Sequence, residues 1–351
     1  MRAELPQARP RRAAPPYLRA GSHLRGRTYG ALDLGTNNCR LLIARPSEDG
    51  FVVVDAYSRV VRLGEGLMDS GRLSDDAMDR TVAALAACAE KLDRRDVRLT
   101  RNVATEACRR AANGPRFVDR VFAETGIALD VISAAEEARL AVMGCHTLID
   151  CAGPPALVFD IGGGSSELML VEPVAGDCGD PRILEWISLP WGVVSLAETE
   201  PVSLSAADRG PAYGRMLAHV TPMLDAFATR VAARGVTDVQ LLGTSGTITT
   251  LASVELGLRG YDRRRVDGCA IATAPLLKLC RDIAGQSVAE RARIACIGPD
   301  RAELIVAGCA ILDAILSRWA TRDGLVRVAD RGIREGILRT LMTRDGAWAG
   351  S

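Results

Sequence analysis

Histidine is nearly absent from this chain. Only His23, His146 and His219 occur in 351 residues, and none sits in a partner motif. That argues against a histidine base or a histidine metal site, and leaves acid–base work to carboxylates. Lysine is scarcer still. Lys91 and Lys278 are alone, so 44 − 2 = 42 of the basic residues are arginine, a skew that coding bias accounts for. Excess charge of one sign is also lacking. The 44 basic and 43 acidic residues leave a net charge of +1, which excludes a whole-molecule nucleic-acid footprint. No apolar run approaches the ~18 residues needed to span a membrane. The ten cysteines, at 39, 88, 108, 145, 151, 178, 269, 280, 296 and 309, form no CxxC pair, and no apolar leader is visible. Disulfide and metal-cage patterns both fail on spacing. Most cysteines are expected to be small, buried, reduced side chains of a cytoplasmic protein.

What is present is a repeat. Ala31-Leu-Asp-Leu-Gly-Thr-Asn-Asn-Cys-Arg-Leu-Leu-Ile43 aligns without a gap on Val158-Phe-Asp-Ile-Gly-Gly-Gly-Ser-Ser-Glu-Leu-Met-Leu170, at an offset of 160 − 33 = 127 residues. Each copy reads as a buried strand ending in Asp, a Gly-rich turn, then a second apolar strand. Such turns offer backbone N–H groups to an anion, and the Asp can hold the metal that accompanies a phosphate. Two copies imply two related lobes with a phosphate chain between them. The length suits about two domains.

Residues 1–27 carry seven Arg and four Pro without an apolar period, which predicts a disordered tail. From Thr28 the pattern is regular. Strands are predicted at Tyr29–Leu34, Cys39–Ala44, Val52–Arg62, Val97–Ala104 and Ala128–Ile132. Helices are predicted from an N-cap at Ser74 to Leu92, from near Thr105, and from Ser133 to about Leu148. Cys151-Ala-Gly-Pro-Pro155 marks the passage from a lobe at 28–148 to one at 149–345. There, strands are predicted at Leu157–Ile161, Glu167–Val171, Ile183–Leu189, Val239–Leu242 and Val326–Ala329. Helices are predicted at Ala206–Arg234, after Gly243, over most of Ala274–Trp319, and at the end. Strand-rich starts followed by helices, twice over, argue an α/β fold of two duplicated lobes.

The first turn, Asp33-Leu-Gly-Thr-Asn-Asn38, places Gly35, Thr36 and Asn37 in a tight bend. Alone it could be an ordinary hairpin. The second, Asp160-Ile-Gly-Gly-Gly-Ser-Ser-Glu167, carries more weight. Three consecutive glycines in a strand context cost about 0.5–1 kcal/mol each, which suits a backbone that must approach a ligand. Ser165 and Ser166 add hydroxyl donors, and Asp160 and Glu167 place carboxylates on either side, as a Mg2+ site needs. A third loop, Gly243-Thr-Ser-Gly-Thr247, joins a strand to a helix whose N-terminus favours an anion. In Thr105–Asn113, an Arg near a helix start is unfavourable unless a phosphate is close. Spacing alone leaves Arg109 and Arg110 equal, with solvated surface charge as the alternative. Ser133-Ala-Ala-Glu136 reads as a capping box, which occupies Glu136. Glu137 shares a face with Leu140, Ala141 and Gly144, so its carboxylate is a candidate general base. An exposed first-turn acid is the alternative.

These segments, with Ile132-Ser-Ala-Ala-Glu-Glu-Ala-Arg139 and Asp330-Arg-Gly-Ile-Arg-Glu-Gly336, resemble in order the exopolyphosphatase/guanosine pentaphosphate phosphatase (Ppx/GppA) family, over roughly Thr28 to Leu341. The resemblance implies two lobes of the actin-like ATPase (ribonuclease H-like) fold with the active cleft between them. It puts the general base on Glu137 and a phosphate-binding Arg on Arg109. It puts the metal-associated acids on Asp160 and Glu167, and phosphate contacts on Gly162, Gly163, Gly164, Ser165, Ser245 and Gly246. Asp33, Gly35, Thr36 and Asn37 would serve the same roles in the first lobe. Mg2+ is the implied cofactor. The expected reaction is hydrolysis of a terminal phosphoanhydride, with inorganic polyphosphate first as substrate and guanosine pentaphosphate second. An actin-like ATPase or kinase, or a non-catalytic polyphosphate or alarmone sensor, are rival readings, and Glu137 argues against the sensor. Neither nucleic acid nor membrane is an expected partner, and a homodimer is left open. Two features depart from the family pattern: the Arg-rich tail, and the expected absence of the helical HD-like domain of longer members.

Overall fold

The structure is a computed structural model that describes residues 26–48, 50–173, 181–201, 205–319, 321 and 323–347. The expected tail lies outside these residues apart from Gly26 and Arg27, and Arg27 pairs with Asp345 at 2.9 Å. No helix among the described residues is long and apolar enough to cross a membrane.

The first sheet contains β1 (Tyr29–Leu34), β2 (Asn38–Ser47), β3 (Gly50–Val60), β4 (Leu99–Ala104) and β5 (Asp130–Val131), in the order β3-β2-β1-β4-β5. The first three strands pair antiparallel, and β1, β4 and β5 run parallel. The second sheet contains β6 (Ala156–Ile161), β7 (Ser166–Glu172), β8 (Arg182–Leu189), β9 (Gln240–Thr244), β10 (Ala270–Ala272) and β11 (Leu325–Ala329). Its order, β8-β7-β6-β9-β11, repeats that of the first, with β10 added antiparallel on β11. Directions repeat too: β6, β7 and β8 pair antiparallel, and β6, β9 and β11 run parallel. The repeated hairpins are thus the central strands of two lobes of actin-like ATPase topology. Their runs are apolar because they are covered on both faces: every residue of β7 but Glu172 is buried.

Each lobe has its own core. One gathers Leu32, Leu41, Leu85 and Phe117, and the other Phe159, Leu224, Ile248 and Ile311. The helix Ala134–Cys145 belongs to neither alone. Its Leu140 packs with Tyr29, Ala31 and the last helix, Ile333–Arg344, while Ala138, Ala141 and Val142 pack on β6 and β7. The last helix, counted with the second lobe in the expected division, lies against β1. Its contact with Ala134–Cys145 is backbone to backbone. A Cβ at Gly144 would run into the Gly332 carbonyl, and one at Gly336 into the Leu140 carbonyl. Glycine here permits an approach that no side chain would.

Several predicted elements change. The helix near Thr105 is only Glu106–Arg110, and a new one, Gly114–Thr125, follows an extended Ala111. Pro115 at that helix's start is in its favoured place. The helix from Ser133 ends at Cys145 and tightens into a 3-10 turn over His146–Leu148. The helix Val193–Thr199 was not foreseen.

Candidate active site

The two Gly-rich turns adopt one conformation. Gly35 N donates to Asn38 O at 2.9 Å, and Gly162 N donates to Ser165 O at 3.0 Å, the same bond 127 residues on. The turns also touch. A Cβ at Gly163 would lie 2.9 Å from Thr36 Cβ and 3.2 Å from Asn37 N, and one at Gly164 would lie 2.6 Å from Thr36 Oγ1. A cavity of about 340 Å3 opens between the lobes beside them. Its wall includes Asp33, Gly35, Thr36, Asn37, Glu137, Asp160, Gly162, Gly163, Gly164, Ser165, Glu167, Ser245 and Gly246. Every expected site residue except Arg109 therefore lines this one cavity.

Arg109 stands behind that wall. Its Nη1 and Nη2 each lie 3.2 Å from Glu137 Oε2, its Nη2 lies 2.6 Å from Glu106 Oε2, and its Nη1 donates to Ile132 O at 2.7 Å. It falls in the last turn of its short helix, so the expected clash with the helix dipole does not arise. Glu136 also differs from expectation. Ser133 Oγ does accept from Glu136 N, at 3.2 Å, but the Glu136 carboxylate binds Arg101 and Arg139 instead of closing the capping box. Those partners hold it down to about 2.

Four carboxyls of the cavity wall, Glu137, Asp160, Glu167 and Asp33, behave in the opposite way. Burial, then Glu167, pushes Glu137 well up, against the pull of Arg109. Burial, then Asp33, raises Asp160 to about 6. Burial, then Asp160, raises Glu167 to about 7, and burial raises Asp33. Water has been removed from acids that repel one another, so the cavity calls for positive charge.

Among the described residues no group of three or more His, Cys, Asp or Glu side chains could by itself hold a metal ion. A cage is not what Mg2+ requires. It keeps several waters and takes one or two carboxylates plus substrate phosphates. Oxygen donors fit that description here. Beside the crowded carboxyls, Asn37 Oδ1 is buried without a hydrogen-bond partner. Asp33, Asp160 and Glu167 offer oxygen donors of the kind Mg2+ takes, but they would need water or substrate oxygens to complete its coordination.

The same cavity is lined by arginines that sequence reasoning missed, among them Arg40, Arg301 and Arg334, and Arg40 interacts with both Asp33 and Asp160. Burial, then Arg334, lowers Arg40, while Asp33 opposes the shift. Arg40 carried a signal. It occupies the position that aligns with Glu167 in the repeat, so the duplicated hairpins place a cation in one lobe and an acid in the other. Arg334 lies in the Asp330–Gly336 segment. Arg301 comes from a helical stretch with no motif. Ser245 carried a conformational signal that only coordinates give: its φ is 80°, rare for a residue with a side chain, and its hydroxyl bonds Asp160.

Residues 42–345 match the Ppx/GppA phosphatase family, and the chain belongs to it. A protein of Mycobacterium tuberculosis named exopolyphosphatase 2 is 30% identical over 326 residues, which cover 89% of this chain and 97% of the relative. A crystal structure described as an exopolyphosphatase from Cytophaga hutchinsonii is 26% identical, covers 93% of this chain and 100% of its own, and superposes with a TM-score of 0.78. The Aquifex aeolicus Ppx/GppA family member is 27% identical, covers 91% and 98%, and gives 0.71.

Proposed function

We propose that this protein is an exopolyphosphatase that removes the terminal phosphate from inorganic polyphosphate by hydrolysis. The observation that carries this reading is the placement of Glu137. Its buried carboxyl lines the same cavity as the two touching Gly-rich turns, together with further acids and arginines. Membership of a phosphatase family and relatives named exopolyphosphatase support it.

The terminal phosphoryl group lies against the turns, where the amides of Gly163, Gly164 and Ser165 receive its equatorial oxygens. Arg40, Arg301 and Arg334 hold the rest of the chain. Glu137 takes a proton from water as the water oxygen attacks phosphorus. The bridging P–O bond breaks, and the shortened chain leaves with the bridging oxygen and its electron pair. Arg109 orients Glu137 and limits the upward shift of its carboxyl. Mg2+, held by Asp160 and Glu167 with Asp33 nearby, would supply positive charge that offsets the charge of the phosphoryl group.

A phosphate-release assay on polyphosphate, guanosine pentaphosphate and ATP, with and without Mg2+, tests this. Orthophosphate should leave polyphosphate fastest and one residue at a time. Release from ATP alone would sink the proposal.

A further inference from the structure

The carbonyls of both turns are tied down from behind, and by equivalent pieces of chain. In the first lobe the segment leaving β3 does this. Gly64 N donates to Thr36 O at 2.9 Å, and Val61 N and Arg62 N donate to Asn37 O at 2.9 and 3.0 Å. Arg62 holds a left-handed φ of 49° to do so. In the second lobe the segment leaving β8 does the same. Val193 N donates to Gly162 O at 2.9 Å and Val194 N to Gly163 O at 2.8 Å. Ser195 Oγ donates to Gly164 O at 3.2 Å and accepts from Gly192 N at 2.8 Å. Gly192 lies so close to Gly163 that a Cβ there would overlap its carbonyl. Thr36 and Gly163 are equivalent in the repeat, so this support is itself duplicated.

The two supports then meet across the cleft. The half-buried Glu198, in the last turn of helix Val193–Thr199, accepts Gly66 N at 2.8 Å and also takes the amide of Met68. These amides open the short helix Leu67–Ser70 in the other lobe. A continuous path thus runs from one turn to the other: Thr36 O, Gly64, Gly66, Glu198, Val194 and Gly163 O.

We infer that Ser195 and Glu198 are positioning residues that lock both turns with their carbonyls turned back and their amides toward the cavity, and that Glu198 couples the two lobes through this lock. A peptide plane cannot present N–H and C=O on the same side, so fixing the carbonyls fixes the amides. Preorganised donors need not reorient when the anion arrives.

The inference rests on the reading of the turns as a phosphate site, so the test carries its own control. Binding of inorganic tripolyphosphate is measured by calorimetry in a Glu137→Gln background, and KM and kcat in the otherwise wild-type chain. Glu198→Ala should raise Kd and KM about tenfold and change kcat less, as expected for loss of a charge-assisted hydrogen bond. Glu198→Gln keeps an acceptor oxygen and should recover most of that loss. Ser195→Ala should weaken binding in the same sense, and the melting temperatures of the free variants should stay close to wild type. Glu198→Ala with unchanged Kd and KM, or Glu198→Gln as impaired as Ala, would overturn the coupling. The control is Gly163→Val. If it binds tripolyphosphate as well as wild type, the turns hold no phosphate and both readings fall. If it abolishes binding while Glu198→Ala does not, only the coupling falls.

Discussion

The Glu137 carboxylate lies 3.2 Å from both terminal guanidinium nitrogens of Arg109. The only acid among the expected site residues that was assigned to chemistry is therefore paired with the only arginine assigned to phosphate. The pair adds a second role for Arg109 to the phosphate-binding one expected from the sequence. A phosphate ligand would act through substrate affinity, and a counter-ion of the base would act through its pKa.

That distinction gives a pH test. Arg109 lowers the Glu137 pKa against burial and the neighbouring acids. Arg109→Leu should therefore raise it further, and the acid limb of the kcat/KM profile should move to higher pH. A rise in KM with an unmoved limb would assign Arg109 to substrate instead.

Glu137→Gln should preserve folding and substrate binding and lower kcat by roughly 10²–10⁴-fold. Glu136→Gln should spare kcat, since the Glu136 carboxylate faces Arg101 and Arg139 and not the cavity. Its cost should appear as a lower melting temperature. Equal losses of activity in the two variants would refute the assignment of the base.

Glu167 gives a stability test. Its pKa is raised from 4.5 to about 7, by burial first and Asp160 second. The folded chain keeps a proton that the unfolded chain releases, so this stabilisation is complete below about pH 4.5 and is lost as pH rises through about 7. In EDTA, the melting temperature of wild type should fall relative to Glu167→Gln across that window. Parallel melting curves would mean that Glu167 does not titrate as a buried acid.

Under the proposed mechanism Mg2+ should reverse that loss, because the ion would bind the ionised carboxyls of the folded state. Melting at about pH 8 should rise with added Mg2+ in wild type and far less in Asp160→Asn, and EDTA should abolish most turnover. Full activity in EDTA would remove the ion from the mechanism.

The glycines of the two turns should not be equally sensitive. A Cβ at Gly163 would press on Thr36 and Asn37, whereas one at Gly35 meets only Asn38 O at an ordinary 3.6 Å. Gly163→Ala should lower kcat/KM by about 10²-fold through misplacement of both turns, and Gly35→Ala by only a few-fold. The reverse order, read in a steady-state assay, would contradict the contact between the loops.

The sequence by itself determined the duplicated hairpins, because a strand, an Asp and a Gly-rich turn are local patterns that repeat at a fixed offset. It also pointed to the burial of Glu137, whose neighbours Leu140, Ala141 and Gly144 share its helical face by simple periodicity. Helix ends within one lobe, such as the Ser74 and Ser133 caps, were legible for the same local reason. Tertiary structure alone decided what crosses the cleft. Arg301 joins Arg40 and Arg334 only because a helix of the second lobe faces the first hairpin. Arg109 meets Glu137 because the fold brings the short helix Glu106–Arg110 against the start of the helix Ala134–Cys145. The clasp of Gly66 by Glu198 joins residues 132 apart, and no period or spacing encodes it. Local pattern fixes which groups a segment can offer, and the packing of one lobe on the other fixes which of them meet.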